Sequence, residues 1–420
     1  MIDQREVRNQ VLKRLDGRLE ATDEDVYQEI DHTVLEVSHG EYISIEQREQ
    51  MRERIFNSIR KFDVLEPYLK DDSVTEIMVI GAGKIFIEKN GELMRTKDHF
   101  YSNQEVYRLI EQIVGPTNRT INESSPIVDS RLPDGSRVHI IIPPISLEGP
   151  SITIRKFQKG GMTIRKLLDF KEFPPKLEPF LGCLVRGRYN IIISGATNSG
   201  KSSLINSLAE YIGPEERIIT IEDSAELQFY QVDNLVRLET RNANSEGKNA
   251  VTMDDLIKAS LRMRPTRIIV GEVRGAEASS MMQALNTGHS GSFSSIHANS
   301  CRDALSRLEV MNLMAVDMPL RAIQGQIGSA VEILIHLGRL SDGRRRLMEI
   351  SEVLGYQGDD YILNPLFQYV ITGKNAGYLK CIHPMKNLDK MKSYGQMDRY
   401  IRAMRGWGLE TDEIIQGEGL

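Results

Sequence analysis

The stretch 189–208, YNIIISGATNSGKSSLINSL, constrains this chain more than any other part of it. The apolar run Ile191 to Ile193 leads straight into a glycine-bounded turn and then into apolar residues at helical spacing, which predicts strand, loop and helix. The turn satisfies G-x-x-x-x-G-K-[ST] at each fixed position, with Gly195, Gly200, Lys201 and Ser202. Glycines at the two bends let the backbone curl so that successive N–H groups point at phosphate oxygens, and the following helix adds its positive end. The segment Gly195, Ala196, Thr197, Asn198, Ser199, Gly200, Lys201, Ser202 and Ser203 is therefore read as a nucleotide-binding loop. Lys201 suits the β and γ phosphates of ATP, and the Ser202 hydroxyl suits Mg²⁺. Asn198 stands where a further glycine is common, and asparagine tolerates left-handed backbone angles. The rival reading, an ordinary Gly/Ser turn after a buried strand, does not account for both flanking elements.

With 420 residues the chain is long enough for two or three domains. Its 27% charged and 40% apolar residues describe a globular protein, and a net charge of −6 argues against a general nucleic-acid binder. Cys183, Cys301 and Cys381 are far apart and form no C-x-x-C pair, which points to a reducing compartment rather than to disulfides or a thiolate zinc site. No apolar run is long enough to span a bilayer, and MIDQREVRNQ lacks the apolar core of a signal peptide. A cytoplasmic location is expected, with any membrane role running through a partner or a surface.

Residues 1–61 are charged, and apolar residues recur at helical spacing in three sets. Val7, Val11, Leu15 and Leu19 form the first, Val26, Ile30 and Val34 the second, Met51, Ile55 and Ile59 the third. Gly40 marks a break, and Ser44 with Gln47 suits a capping box. A small bundle or docking arm and a solvated helical appendage both fit. From 62 to 156 the pattern becomes α/β, with strands in EIMVIG, KIFIEK, HIIIPP and SITIRKF, a helix over Asn103 to Val114, and turns at Asn90-Gly91 and Asp134-Gly135. A linker at 157–165 contains the hinge candidate Gly160-Gly161. Residues 166–364 then alternate strands (NIIISG, RIITIE, LVRLET, RIIVGE, SFSSIHA, VEILIHLGRL) with helices, which predicts a mainly parallel sheet. The tail, 365–420, is less patterned; its basic residues and Trp407 suit either a lipid or partner contact or a solvated helix.

Hydrolysis needs acids from outside the loop. RIITIEDSAEL places Glu222, Asp223 and Glu226 beyond one apolar strand, and RIIVGEVRG places Glu272 at the end of another, all expected at the loop's edge of the sheet. Glu272 suits polarising water, and Glu226 with Ser202 suits Mg²⁺. In TGHSGSFSSIHAN, His289 and His297 flank a Gly/Ser-rich turn and a strand and suit sensing of a γ-phosphate; their spacing is not a zinc signature. Arg131, Arg137 and Arg155 in the first α/β region are candidate charge-neutralising groups.

GATNSGKSS, TIEDSAEL, RMRPTRIIVGEVRGAEA and TGHSGSFSSIHANS, in that order, resemble the Walker A, Asp, Walker B and His boxes of the type II/type IV secretion ATPases. The upstream stretches SVTEIMVIG, NESSPIVDSRLPDGSRVHIIIPP and SITIRKF, with LETRNAN and CRDALSRLEVM, look closest to the branch that powers tight-adherence (Flp) pili. The resemblance, over about residues 62 to 355, implies an α/β architecture: a RecA-like P-loop motor preceded by a PAS-like sheet domain and an N-terminal helical segment. It implies a homo-hexameric ATPase with ATP and Mg²⁺ between the two domains, Glu226 in the Asp box, Glu272 as general base and His297 nearest the phosphates. It implies phosphate-facing roles for Arg131, Arg137, Arg155 and Arg241. It also implies an integral-membrane platform protein as partner, pilin-like subunits as the indirect substrate, and no stable nucleic-acid complex. A nucleotide-gated scaffold and a nucleic-acid translocase are the competing functions.

Overall fold

The computed structural model describes residues 4–415 apart from 16–20, 39–43, 90, 118, 158–159, 242, 244–247 and 359. Leu19, Gly40, Asn90 and the asparagines Asn242 and Asn244, which the sequence singles out, lie outside the described residues. The chain divides into two compact units, Met1–Lys159 and Gly160–Leu420.

In the first unit, three helices, Gln4–Leu15, Asp23–Val37 and Ile45–Arg60, share a core of Val7, Val11, Val26, Ile30, Val34, Ile55 and Phe56. They form a bundle rather than a solvated appendage. Thr22 with Asp25 and Ser44 with Gln47 both make capping boxes, so the first orphan N–H groups of the second and third helices are satisfied locally.

A six-stranded sheet follows, built from β1 (Val74–Ile80), β2 (Lys84–Lys89), β3 (Glu92–Arg95), β4 (Ile127–Arg131), β5 (Arg137–Ile141) and β6 (Ser151–Arg155). The order is β3-β2-β1-β6-β5-β4 with every neighbouring pair antiparallel. Val138, Ile140, Ile152 and Ile154 alternate onto the buried face, where the helix Asn103–Val114 packs Val106, Leu109, Ile110 and Ile113.

The second unit holds nine strands: β7 (Ile191–Gly195), β8 (Ile218–Glu222), β9 (Leu235–Glu239), β10 (Arg267–Val273), β11 (Phe293–Ile296), β12 (Ile333–Arg339), β13 (Arg345–Gln357), β14 (Asp360–Gly373) and β15 (Ala376–Cys381). Their order is β15-β14-β13-β12-β7-β11-β10-β8-β9. From β12 through β9 all pairings are parallel, and every residue of β7 is buried. Its alternation explains this, since Ile191 and Ile193 join one core while Ile192 joins the core on the opposite face. The register Ser194↔Ile296 and Ile221↔Val270 brings the carboxyl ends of β7, β11, β10 and β8 to one edge.

The sheet is less parallel than its sequence predicts. β13, β14 and β15 extend it in antiparallel fashion, and the expected boundary at 364/365 falls inside β14. Pro365, which cannot donate to a ladder, pairs with Ser351 where the register shifts, a position that tolerates proline inside a sheet. The chain beyond it closes the core: Met385, Leu388, Met391, Tyr400, Met404 and Ile414 pack in the same cluster as Phe180 and Phe367. Trp407 belongs there too, with its ring 4.9 Å from that of Phe367 and its Nε1 donating to Lys176 O at 3.2 Å. Trp407 and its neighbours therefore belong to the core and not to a wholly solvated helix.

Candidate functional site

The loop after β7 is a cradle built on unusual backbone. Asn198 has φ 60° and Gly200 φ 102°, both left-handed. A Cβ on Gly195 would sit 2.4 Å from Ser199 Oγ and 2.6 Å from Leu337 O, so only glycine fits that close approach. The helix Lys201–Leu208 starts directly from this turn. Ala196, Thr197 and Asn198 are exposed on its rim, Ser199 and Lys201 are buried, and Ser202 and Ser203 are half-buried.

Lys201 Nζ donates to Gly195 O at 3.0 Å and to Ala196 O at 3.1 Å, and lies 3.4 Å from His297 Nδ1. Burial holds the Lys201 pKa below the usual lysine value, opposed by the Glu272 carboxylate and reinforced by Arg274. Ser202 Oγ donates to Glu226 Oε2 at 2.9 Å. Glu226 is held in turn by Glu222, whose carboxylate accepts the backbone N–H of Glu226 at 2.8 Å and that of Leu227 at 3.0 Å. Burial pushes the Glu222 pKa up to about 7 in spite of these two donors. Gly271 is part of the same fit, because a Cβ there would lie 2.9 Å from Glu222 Cγ.

Glu272 stands next to that glycine with its two oxygens in different situations. Oε2 accepts from Arg274 Nη2 at 2.7 Å and Nε at 3.1 Å. Oε1 is buried, lies 2.7 Å from His297 Nε2 and makes no hydrogen bond. Desolvation lowers the His297 pKa; Glu272 opposes that shift, and Lys201 and Arg274 add to it, so the ring is neutral at pH 7.

The structure thus brings Gly195, Ala196, Lys201, Ser202, Glu226, Glu272 and His297 together at one sheet edge. His289 is not among them, since it precedes β11 with its Nδ1 3.2 Å from Ala284 O, whereas His297 follows that strand. Arg241 lies beyond β9, where its Nε donates to Asn249 O at 2.8 Å; no hydrogen bond to the cluster is found among the described residues. Arg131, Arg137 and Arg155 belong to the first unit, where Arg131 pairs with Arg137 across β4 and β5, and Arg137 with Arg155 across β5 and β6. Arg155 Nε also lies 3.8 Å from Glu76 Oε1.

The residues fit a magnesium nucleotide. Ser199 Oγ and Glu272 Oε1 are buried polar atoms lacking partners, and Ser202 with Glu226 offers the oxygen donors that Mg²⁺ prefers. Two contributors escape motif reading. Arg274 is the more legible, because it stands two residues after Glu272, just past the end of β10. Glu222 reads as one more strand-end acid, and only its burial marks it as a brace.

The sequence model of the Type II/IV secretion system protein family matches residues 59–358. A putative conjugal transfer protein of Mycobacterium tuberculosis is 32% identical over 301 residues, covering 70% of this chain and 85% of that protein. The type IV secretion system protein PtlH of Bordetella pertussis is 32% identical over 313 residues, covering 68% of this chain and 92% of that protein. The X-ray structure of the Legionella pneumophila ATPase DotB matches with a TM-score of 0.51 at 22% identity, over 68% of this chain and 78% of that one, a likeness of fold.

Proposed function

The chain belongs to the type II/IV secretion system protein family, and from that membership we propose that it hydrolyses ATP to drive assembly or secretion of pilin-like subunits through a membrane. The observation that carries this reading is Glu272: one oxygen is fixed by Arg274, and the other is buried without a hydrogen bond, beside His297 and the phosphate loop. A carboxylate so held is a general base waiting for a proton donor, and a water placed on Oε1 supplies one.

The other roles follow from the same geometry. Lys201 exchanges the carbonyls of Gly195 and Ala196 for phosphate oxygens. Ser202 and Glu226 would hold Mg²⁺, which when bound neutralises phosphate charge. His297, with Nδ1 3.4 Å from Lys201 Nζ and Nε2 2.7 Å from Glu272 Oε1, links the phosphate-loop lysine to the base. Arg131, Arg137, Arg155 and Arg241 are kept as candidates for neutralising phosphate charge.

The reading extends to a homo-hexamer at the cytoplasmic face, docked on an integral-membrane platform protein, of the kind that builds tight-adherence pili. No described helix is long and apolar enough to cross a bilayer itself. Steady-state phosphate release by the purified assembly tests the core of the proposal: Glu272→Gln should bind ATP and release almost no phosphate, and wild-type turnover by that variant refutes the assignment. Sedimentation with a non-hydrolysable ATP analogue tests the ring, which predicts a sixfold rise in mass over the protomer.

A further inference from the structure

In the second unit the helices Glu178–Arg186 and Met397–Arg405 pack side by side. An open cavity of about 270 Å³ between them is lined by Pro179, Arg186, Arg399, Arg402 and Ala403. Three guanidiniums so gathered stand out on a chain of net charge −6. Among the described residues none of the three is ion-paired to a carboxylate, and Arg402 Nε donates to Asp398 O of its own helix at 3.2 Å. All three act on the buried Cys183 thiol beneath them, opposing the burial that pushes its pKa up to about 11.

Arg186 is held in place by its surroundings. Gly182, in mid-helix where glycine is destabilising, leaves room that a Cβ would close: it would lie 2.8 Å from Arg186 Nη1 and 3.3 Å from the Tyr211 ring. The Arg186 guanidinium accordingly stacks 4.7 Å from the centre of that ring. Tyr211 in turn donates to Glu178 Oε1 at 3.1 Å, which ties the nearest acid of that helix to the phenol. Arg399 and Arg402 share one side of their helix at i, i+3, while Tyr400, Ala403 and Met404 anchor the helix in the core. The acid Asp398 faces an adjoining cavity with Ile401, Arg402 and Arg405.

We propose that this groove is a second anion site, separate from the phosphate loop, which binds a phosphoryl group of the class carried by a phospholipid headgroup or a soluble phosphate ester. Forked guanidinium donors match phosphate oxygens in geometry as well as in charge. None of the roles assigned above uses these residues.

Two probes test the site on the full chain carrying Lys201→Ala, which silences the phosphate loop. The first is vesicles of phosphatidylglycerol and phosphatidylcholine in equal parts, read by co-sedimentation; the second is inorganic pyrophosphate, read by calorimetry. Adding Arg399→Ala with Arg402→Ala should weaken binding about tenfold or more. Adding Lys374→Ala with Lys380→Ala, which removes the same charge from the β14–β15 hairpin, should not. Arg186→Gln, on the other helix, should reproduce the loss. A loss confined to vesicles identifies a headgroup, and one confined to pyrophosphate identifies a soluble ester; either supports the site. Equal binding by the arginine and lysine variants, or no binding of either probe by the parent, overturns it.

Discussion

β10 carries a charge near each end, buried at Arg267 and half-buried at Glu272, and the two are treated in opposite ways. At its start, Arg267 is 1% exposed and completely engaged: Nε and Nη2 meet the two Glu216 oxygens at 2.7 and 2.8 Å, and Nη1 donates to Val185 O and Gly291 O. Burial alone would raise the Glu216 pKa, but Arg267 and then Arg188 hold it below the usual value. Five residues further on, Glu272 keeps one oxygen without any hydrogen bond. A closed network of this kind fixes structure; an open one reserves a valence for something that is not protein. The difference separates a strut from a working part on a single strand.

The comparison can be broken experimentally. Glu272→Gln should cost about 10²- to 10⁴-fold in kcat while leaving the thermal midpoint unchanged or raised, because the open end contributes nothing to folding that the amide cannot replace. Arg267→Met should do the reverse. It strands Glu216 in the core, at about 3–5 kcal/mol, seen as a Tm fall of roughly 10 °C by calorimetry with nucleotide affinity preserved in the remaining folded protein. If both variants lost activity and stability together, the two ends would not be distinct. Arg274→Gln sharpens the picture, since it frees Glu272 Oε2 without removing the base; a loss of about tenfold in kcat with little change in KM is expected.

The smallest effect concerns Glu222. Its folded pKa of about 7 lies above the ordinary 4.5, so the stability this acid contributes is full below that ordinary value and is lost as pH rises through 7. The Tm difference between Glu222→Gln and wild type should therefore shift in favour of the variant between pH 5 and pH 8. A pH-independent difference would show that Glu222 is not a strained brace.

Strands β7, β8 and β10 are legible because each centres on a short apolar run bounded by polar or glycine residues, as interior parallel strands must be. β3 is not, because all four of its residues are exposed and no alternation marks it. β14 is hidden by Pro365, whose tolerance depends on a bulge that only the partner strand supplies. At the site, Lys201 and Ser202 announce themselves through the loop, while the pairing of Ser202 with Glu226 depends on how the chain folds back after β8. The alignment of Arg131, Arg137 and Arg155 is a matter of register: the turn at Asp134 and Gly135, with Gly135 at φ 90°, sets Arg131 opposite Arg137.

The way the C-terminal helices close the core bears on how this protein is made. The P-loop strand emerges from the ribosome long before Tyr400, Met404 and Ile414, yet it shares a hydrophobic cluster with them. Glu352 waits for the N–H groups of Lys386 and Asn387, which it accepts at 2.8 and 2.7 Å. The nascent chain therefore exposes apolar surface until late in translation, and premature termination within this stretch should yield an aggregating fragment.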